Sequence, residues 1–194
     1  MPWTYIRKDL FDHAYDLLVH IPGLLADAEG FRDGKVALAD LQGKTIALIG
    51  KINRWTEDHL YPEAASFRPE VSSWDLSTVI TFIDQGIISD YSFARGLAHY
   101  FAALLMLAQL GQRSVDALRI SPEEAIRCIV VIIQKHALGS PVGCLWPWLV
   151  PLKASHFSSF VRAVPEVISL TVQLERRYSW PILQSERYEM KRQT

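Results

Sequence analysis

Cysteine is almost missing from this chain: only Cys128 and Cys144 occur among 194 residues. Two cysteines cannot form a disulfide framework, a four-cysteine zinc site or a C-x-x-C redox centre, and free thiols point to a reducing compartment. A dominant charge is missing too. The formal net charge is −1, so no global field draws the chain to nucleic acid or to an anionic membrane. Long apolar runs are absent; the longest, near Phe101–Ala108, is too short to span a bilayer. The first residues, MPWTYIRKDLFDHAYDLL, are interrupted by charge every few positions and do not read as a signal peptide. Beginning at Met1, the chain reads as complete. The expectation is a soluble cytoplasmic protein, or a nuclear one should it act in regulation.

Sequence motifs of cofactor and hydrolytic chemistry are also lacking. There is no G-x-G-x-x-G after a strand, no P-loop, no H-E-x-x-H, no G-x-S-x-G and no EF-hand loop. His13 and His20 stand seven residues apart, about two helical turns, too far for a metal pair by themselves. No metal and no cofactor are therefore expected.

What remains is a composition that is 49% hydrophobic and 21% charged, that of a folded globular protein. Its apolar residues recur with helical period, and no alternating strand pattern is evident. Residues 4–20 place Ile6, Leu10, Ala14, Leu17 and Leu18 on one stripe. A short helix follows Pro22-Gly23, and a longer one covers 35–57, where Gly43 and Gly50 suggest close helix contacts. Residues 58–88, broken by Pro62 and Pro69, read as mostly loop with a short helix, either an irregular connection or a lid. Residues 90–110 form the strongest helix, apolar from Leu97 to Ala108 on every side except at His99 and Tyr100, so it belongs at the centre of a domain. Ser121-Pro122-Glu123-Glu124 is a helix start, leading into the apolar run Cys-Ile-Val-Val-Ile-Ile. Two more helices are expected near 151–162 and 165–178. The architecture predicted is all-α: one helical bundle over 1–180 with seven to nine helices and two buried central ones, then a polar C-terminal tail over 181–194.

Three segments carry a family resemblance. Ile21-Pro22-Gly23-Leu24-Leu25 opens an acidic helix; Phe93–Leu107 is an aromatic–Ala–Leu helix; Ala125-Ile126 and Cys128 lead through Gly143 to Pro151-Leu152 and Ala154. In these places, over roughly 15–175, the chain resembles the C-terminal half of the regulatory domain of fungal Zn2Cys6 transcription factors. That family's DNA-binding module needs six closely spaced cysteines, which this chain does not have. The resemblance therefore implies either a ligand-sensing, partner-binding regulator without its own DNA-binding module, or such a domain working alone on small molecules.

For an enzyme, the sequence offers acid–base chemistry in an apolar pocket. Histidine titrates near neutrality, and His99 stands in the most apolar helix, with Tyr100 beside it as a hydrogen-bond donor to a developing oxyanion. Adjacent helical residues point about 100° apart, so the two need not share a cavity. A core histidine bonded to a backbone carbonyl is the competing interpretation of His99. His156 is a further catalytic candidate. Arg95, one turn before His99, could hold a substrate carbonyl or carboxylate, or be a surface charge. Asp90 reads as an N-cap. Cys128, in an apolar helix, should be inert.

Tryptophan is the clearest excess, with six residues. Trp146 and Trp148 flank Pro147, and with Trp74 they are candidates for lining an apolar substrate site. The leading expectation is a cofactor-independent isomerase, epimerase or cyclase acting on an apolar secondary metabolite. The alternative is the ligand-sensing or partner-binding regulator. A homodimer that covers the tryptophans is compatible with either.

Overall fold

A computed structural model describes residues 8–110 and 120–138, and singly Pro151, Ala154, Glu166, Ser169, Leu170 and Gln173. Every regular element among them is helical. Helix α1 is Leu10–Leu18 and α2 is Ile21–Arg32. Helix α3, Leu38–Trp55, runs without a break through a π-helical turn, Thr56–Leu60, into α4, Tyr61–Phe67. Then come α5, Leu76–Asp84, α6, Tyr91–Ala108, and α7, Pro122–Ile133, which ends in a second π turn, Gln134–Leu138.

The helix starts are written locally. Asp9 and Asp12 form a reciprocal capping box at α1, each carboxylate accepting from the other's backbone N–H at 2.8 and 3.2 Å. Asp75 accepts from Thr78 N–H at 2.7 Å and Asp90 from Phe93 N–H at 2.6 Å. Ser121 accepts from Glu124 N–H, with Pro122 in the first turn of α7. Gly86, at φ 73°, ends α5 in the left-handed conformation that a side chain would resist.

The fold is all-helical, but the expected seven to nine separate helices are not what forms. In the two continuous described stretches the helical turns gather into five units: 10–32, bent at Val19-His20; 38–67; 76–84; 91–108; and 122–138. The expected break at Pro62 is absent for a physical reason. Proline has no N–H and its ring clashes with the carbonyl four residues back. The chain absorbs this by widening one turn earlier, where Tyr61 N–H reaches back five residues to the Thr56 carbonyl. Thr56 itself, fully buried, returns its hydroxyl to the Asn53 carbonyl at 2.8 Å. The segment 58–88, expected to be mostly loop, thus carries the end of a long rod and all of α5. The expected helices at 151–162 and 165–178 and the tail over 181–194 lie mostly or wholly outside the described residues.

Helix α6 is the axis. Leu97, Ala98, Tyr100, Phe101, Ala103 and Leu105 are fully buried, and α1 and α7 both pack against it. Helix α7 adds Ala125, Ile126, Ile129, Ile132 and Ile133, also fully buried. Helix α3 reaches this core through Leu48, Ile49, Ile52 and Trp55, and lies against α1 and α2. Among the described residues no helix is long and apolar enough to cross a membrane.

The tightest point is Gly96. A Cβ there would stand 2.8 Å from the Leu10 carbonyl carbon and 2.9 Å from the Phe11 nitrogen, both backbone atoms of α1. At Gly43 of α3 a Cβ would meet nothing within 4 Å. The same substitution should therefore have opposite signs at the two positions. Gly96→Ala forces two helices apart and should destabilise by about 1–2 kcal/mol, overpacking outweighing helix propensity. Gly43→Ala should stabilise by about 0.5–1 kcal/mol through propensity alone. Urea unfolding of both variants against wild type measures the difference.

Candidate functional site

Two regions among the described residues concentrate polar chemistry: the α1–α6 crossing, which contains His99 and Arg95, and a surface cleft between α2 and α3.

At the crossing, the Asp9 carboxylate takes a hydrogen bond from the Ser92 hydroxyl and faces the Arg95 guanidinium at 3.8 Å. Burial alone would raise the Asp9 carboxyl. The bonds from Ser92 and from Asp12 N–H, with the Arg95 charge, outweigh burial and hold it below the usual range. The Arg95 guanidinium carbon sits 3.6 Å from the centre of the Phe11 ring, a close cation–π contact. The edge of the same ring system meets His99, with centroids 4.8 Å apart and planes at 84°. Phe11 thus fills the space between Arg95 and His99 that a substrate would need.

His99 is 3% exposed, and its Nδ1 lies 2.8 Å from the Arg95 carbonyl oxygen. A carbonyl only accepts, so Nδ1 carries the proton and donates. Burial lowers its pKa to about 4, against an opposing contribution from that hydrogen bond, so the ring is neutral at pH 7. This is the geometry of a core histidine bonded to the turn before it. Tyr100, fully buried, lies flat on Trp55 at 4.9 Å and meets Phe101 edgewise at 5.4 Å. Helical geometry sends the two neighbours to different partners: His99 to α1, Tyr100 to the C-terminal end of α3. Trp74 packs edge-on against Phe82 at 5.4 Å, and its indole N–H is buried without a hydrogen-bond partner among the described residues. His156, Trp146 and Trp148 lie outside the described residues, as does Cys144. Cys128 is buried in α7, where its thiol is pushed up to about 12.

Sequence spacing did not single out the cleft. It has a volume of about 310 Å³ and lies between the first turns of α2 and the middle of α3. Buried Leu24 and Leu48, with Gly23 and Ala47, supply its apolar walls. Its polar groups are His20, Lys51 and a salt bridge, Lys44 Nζ to Asp27 Oδ2 at 2.6 Å. Asp27 raises the Lys44 pKa by hydrogen bond and charge. The signal available in the sequence was Lys44 and Lys51 at i and i+7, two turns apart on one face of a helix. Their partner helix could not be read from spacing.

His13 and His59 make the other unanticipated pair. Their rings stack at 3.9 Å with planes 12° apart, joining α1 to the π turn. Burial, His59 and Lys8 together lower the His13 pKa, against Asp16 and Asp12. Among the described residues no group of three or more His, Cys, Asp or Glu side chains could hold a metal ion.

No family model, curated protein or solved structure matches the chain. The likeness to the fungal regulatory domain rests on the three segments quoted above.

The histidine environments set a pH dependence. A histidine whose folded pKa lies below its unfolded value contributes stability that is complete above the unfolded pKa and is lost as pH falls through the folded one. For His99 that window runs from 6.5 down to about 4, and the loss at its lower end is about 3 kcal/mol. His13 acts in the same direction. Unfolding measured from pH 7 to pH 4 should show falling stability, and His99→Leu should flatten that slope relative to wild type. An unchanged slope in the variant would show that His99 does not cause it.

Proposed function

We propose that the protein is a ligand-holding helical module, the regulator-like alternative, and that it does not transform what it binds. One observation carries this: His99 and Tyr100 of α6 are engaged in packing, whereas an accessible cleft among the described residues lies away from them, between α2 and α3, lined by aliphatic and charged side chains. His99 has a buried ring whose Nδ1–H is donated to a backbone carbonyl, and Phe11 occupies the space next to it. A cleft of about 310 Å³ with apolar walls and few polar groups suits a small ligand. The cofactor-free isomerase, epimerase or cyclase has less support, since proton transfer needs the base within reach of the substrate. The resemblance to a ligand-sensing domain agrees with the module.

Amide chemical shifts of the full chain, titrated with a panel of small amphipathic compounds, test the proposal. The expected result is movement of amides in α2 and α3, ligand recovered unchanged, and affinity unaltered in His99→Leu. Turnover of a bound compound, lost in His99→Leu, would reinstate the enzyme.

Self-association is a second reading, favoured by the outward side of α3. Ile46 there is 68% exposed, and Ala39, Gly43 and Gly50 share its side at helical spacing. An antiparallel pairing with a second copy would set Gly43 against Gly50 and bring Asp40 near Arg54, a self-complementary arrangement of small groups and charge. Sedimentation of the wild type should then report a dimer. Ile46→Glu should weaken it about tenfold or more, as losing one buried aliphatic side chain implies. A monomeric wild type at high micromolar concentration would overturn this reading.

A further inference from the structure

We propose that the cleft between α2 and α3 binds a monocarboxylate with an aliphatic tail, its carboxylate on Lys51 and its tail against Leu24, Ala47 and Leu48. This rests on the binding-module reading and assigns its ligand class. The charge arithmetic of the cleft comes first. Lys44 and Lys51 bring two positive charges and Asp27 one negative, an excess of one positive charge. Lys44 is already held by Asp27 at 2.6 Å, so Lys51 is the lysine left for an incoming anion. One surplus charge matches a monoanion better than a doubly charged phosphate, which would face Asp27 with its second charge uncompensated.

The walls specify the rest of the ligand. Leu24 and Leu48 are each 5% exposed, yet both line the cleft. Tail methylenes laid on them would be removed from water. A volume of about 310 Å³ has room for about ten water-sized groups, the size of an eight-carbon acid. Gly23 lines the cleft beside open space: a Cβ there would meet nothing within 4 Å, so a large side chain at this position has room to enter it. The first turn of α2 lies alongside and has no side-chain cap, so its backbone adds positive potential to the side on which His20 stands.

The test uses the full chain with octanoate, octan-1-ol and inorganic phosphate as probes, read by amide shifts of Gly23, Leu24, Leu48 and Lys51. Octanoate should bind saturably and more tightly than octan-1-ol, and phosphate should leave these amides in place. Lys51→Met should weaken octanoate about two- to fivefold, as an exposed charge pair allows, and leave octan-1-ol unchanged. Asp27→Asn, which releases Lys44, should tighten octanoate by a similar factor. Gly23→Leu should fill the cleft and abolish binding of both chains, with circular dichroism unchanged. Octanoate binding indifferent to Lys51→Met and Gly23→Leu overturns the assignment. Octan-1-ol binding as tightly as octanoate, with both lost in Gly23→Leu, removes the carboxylate and leaves the module standing. Phosphate binding as tightly as octanoate removes the tail. Shifts centred on His99, with turnover, overturn the module itself.

Discussion

The close crossing of α1 over α6 at Gly96 is the constraint on which the rest of the described structure depends. With no Cβ at Gly96, the backbone of Leu10 and Phe11 lies directly on the central helix. Phe11 is thereby delivered between Arg95 and His99, and Asp9 is brought to Ser92 and Arg95. A single carboxylate then caps α1 and ties it to α6, so the helix start and the tertiary contact are one interaction. The same approach covers His99. The Phe11 ring that this approach delivers packs on His99, and burial keeps the histidine neutral.

Much of the helical structure was legible in the sequence, because caps and apolar periodicity are local. Asp90 and Ser121 could be recognised as helix starts from their own neighbourhoods, and the burial of α6 and of the inner face of α7 follows from their apolar runs, Leu97–Ala108 and Cys128–Ile133. The joins were not legible. Pro62 reads as a break under the rule that proline ends a helix, yet here a π turn absorbs it. That outcome depends on a buried threonine, Thr56, whose hydroxyl is bonded to the turn before, and on Leu60 and Ala64 being fully buried on either side of the proline. Burial of both flanks favours continuing the rod over releasing it, a tertiary effect that no local rule carries. Reading Pro62 as a break therefore ended the predicted helix at 57, where the chain carries the rod on to Phe67.

The candidate site divides along the same line. That His99 is buried and that Cys128 is inert both follow from composition around them. What His99 would face does not, since Phe11 is 88 positions away in the chain. Tyr100 illustrates the limit at closer range. It is adjacent to His99, and the 100° step between them was legible, but the Trp55 ring on which Tyr100 lies was not. The cleft required the docking of α2 on α3. Lys44 and Lys51 are visible as a pair on one helix face, but only the opposing Asp27 distinguishes the engaged lysine from the available one.

These features together separate the chain's polar chemistry into two kinds. Around α6 the polar groups have partners within the protein: Asp9 with Ser92 and Arg95, His99 with the Arg95 carbonyl. Reaching His99 with a substrate would require displacing Phe11, whose ring packs against it. The α2–α3 cleft makes no such demand. Its lysines and its glycine lie at the surface, and its leucines are buried. A ligand there could be bound or released without disturbing the central helix. That arrangement suits recognition, where occupancy is the signal, better than it suits proton transfer, where a base must meet its substrate.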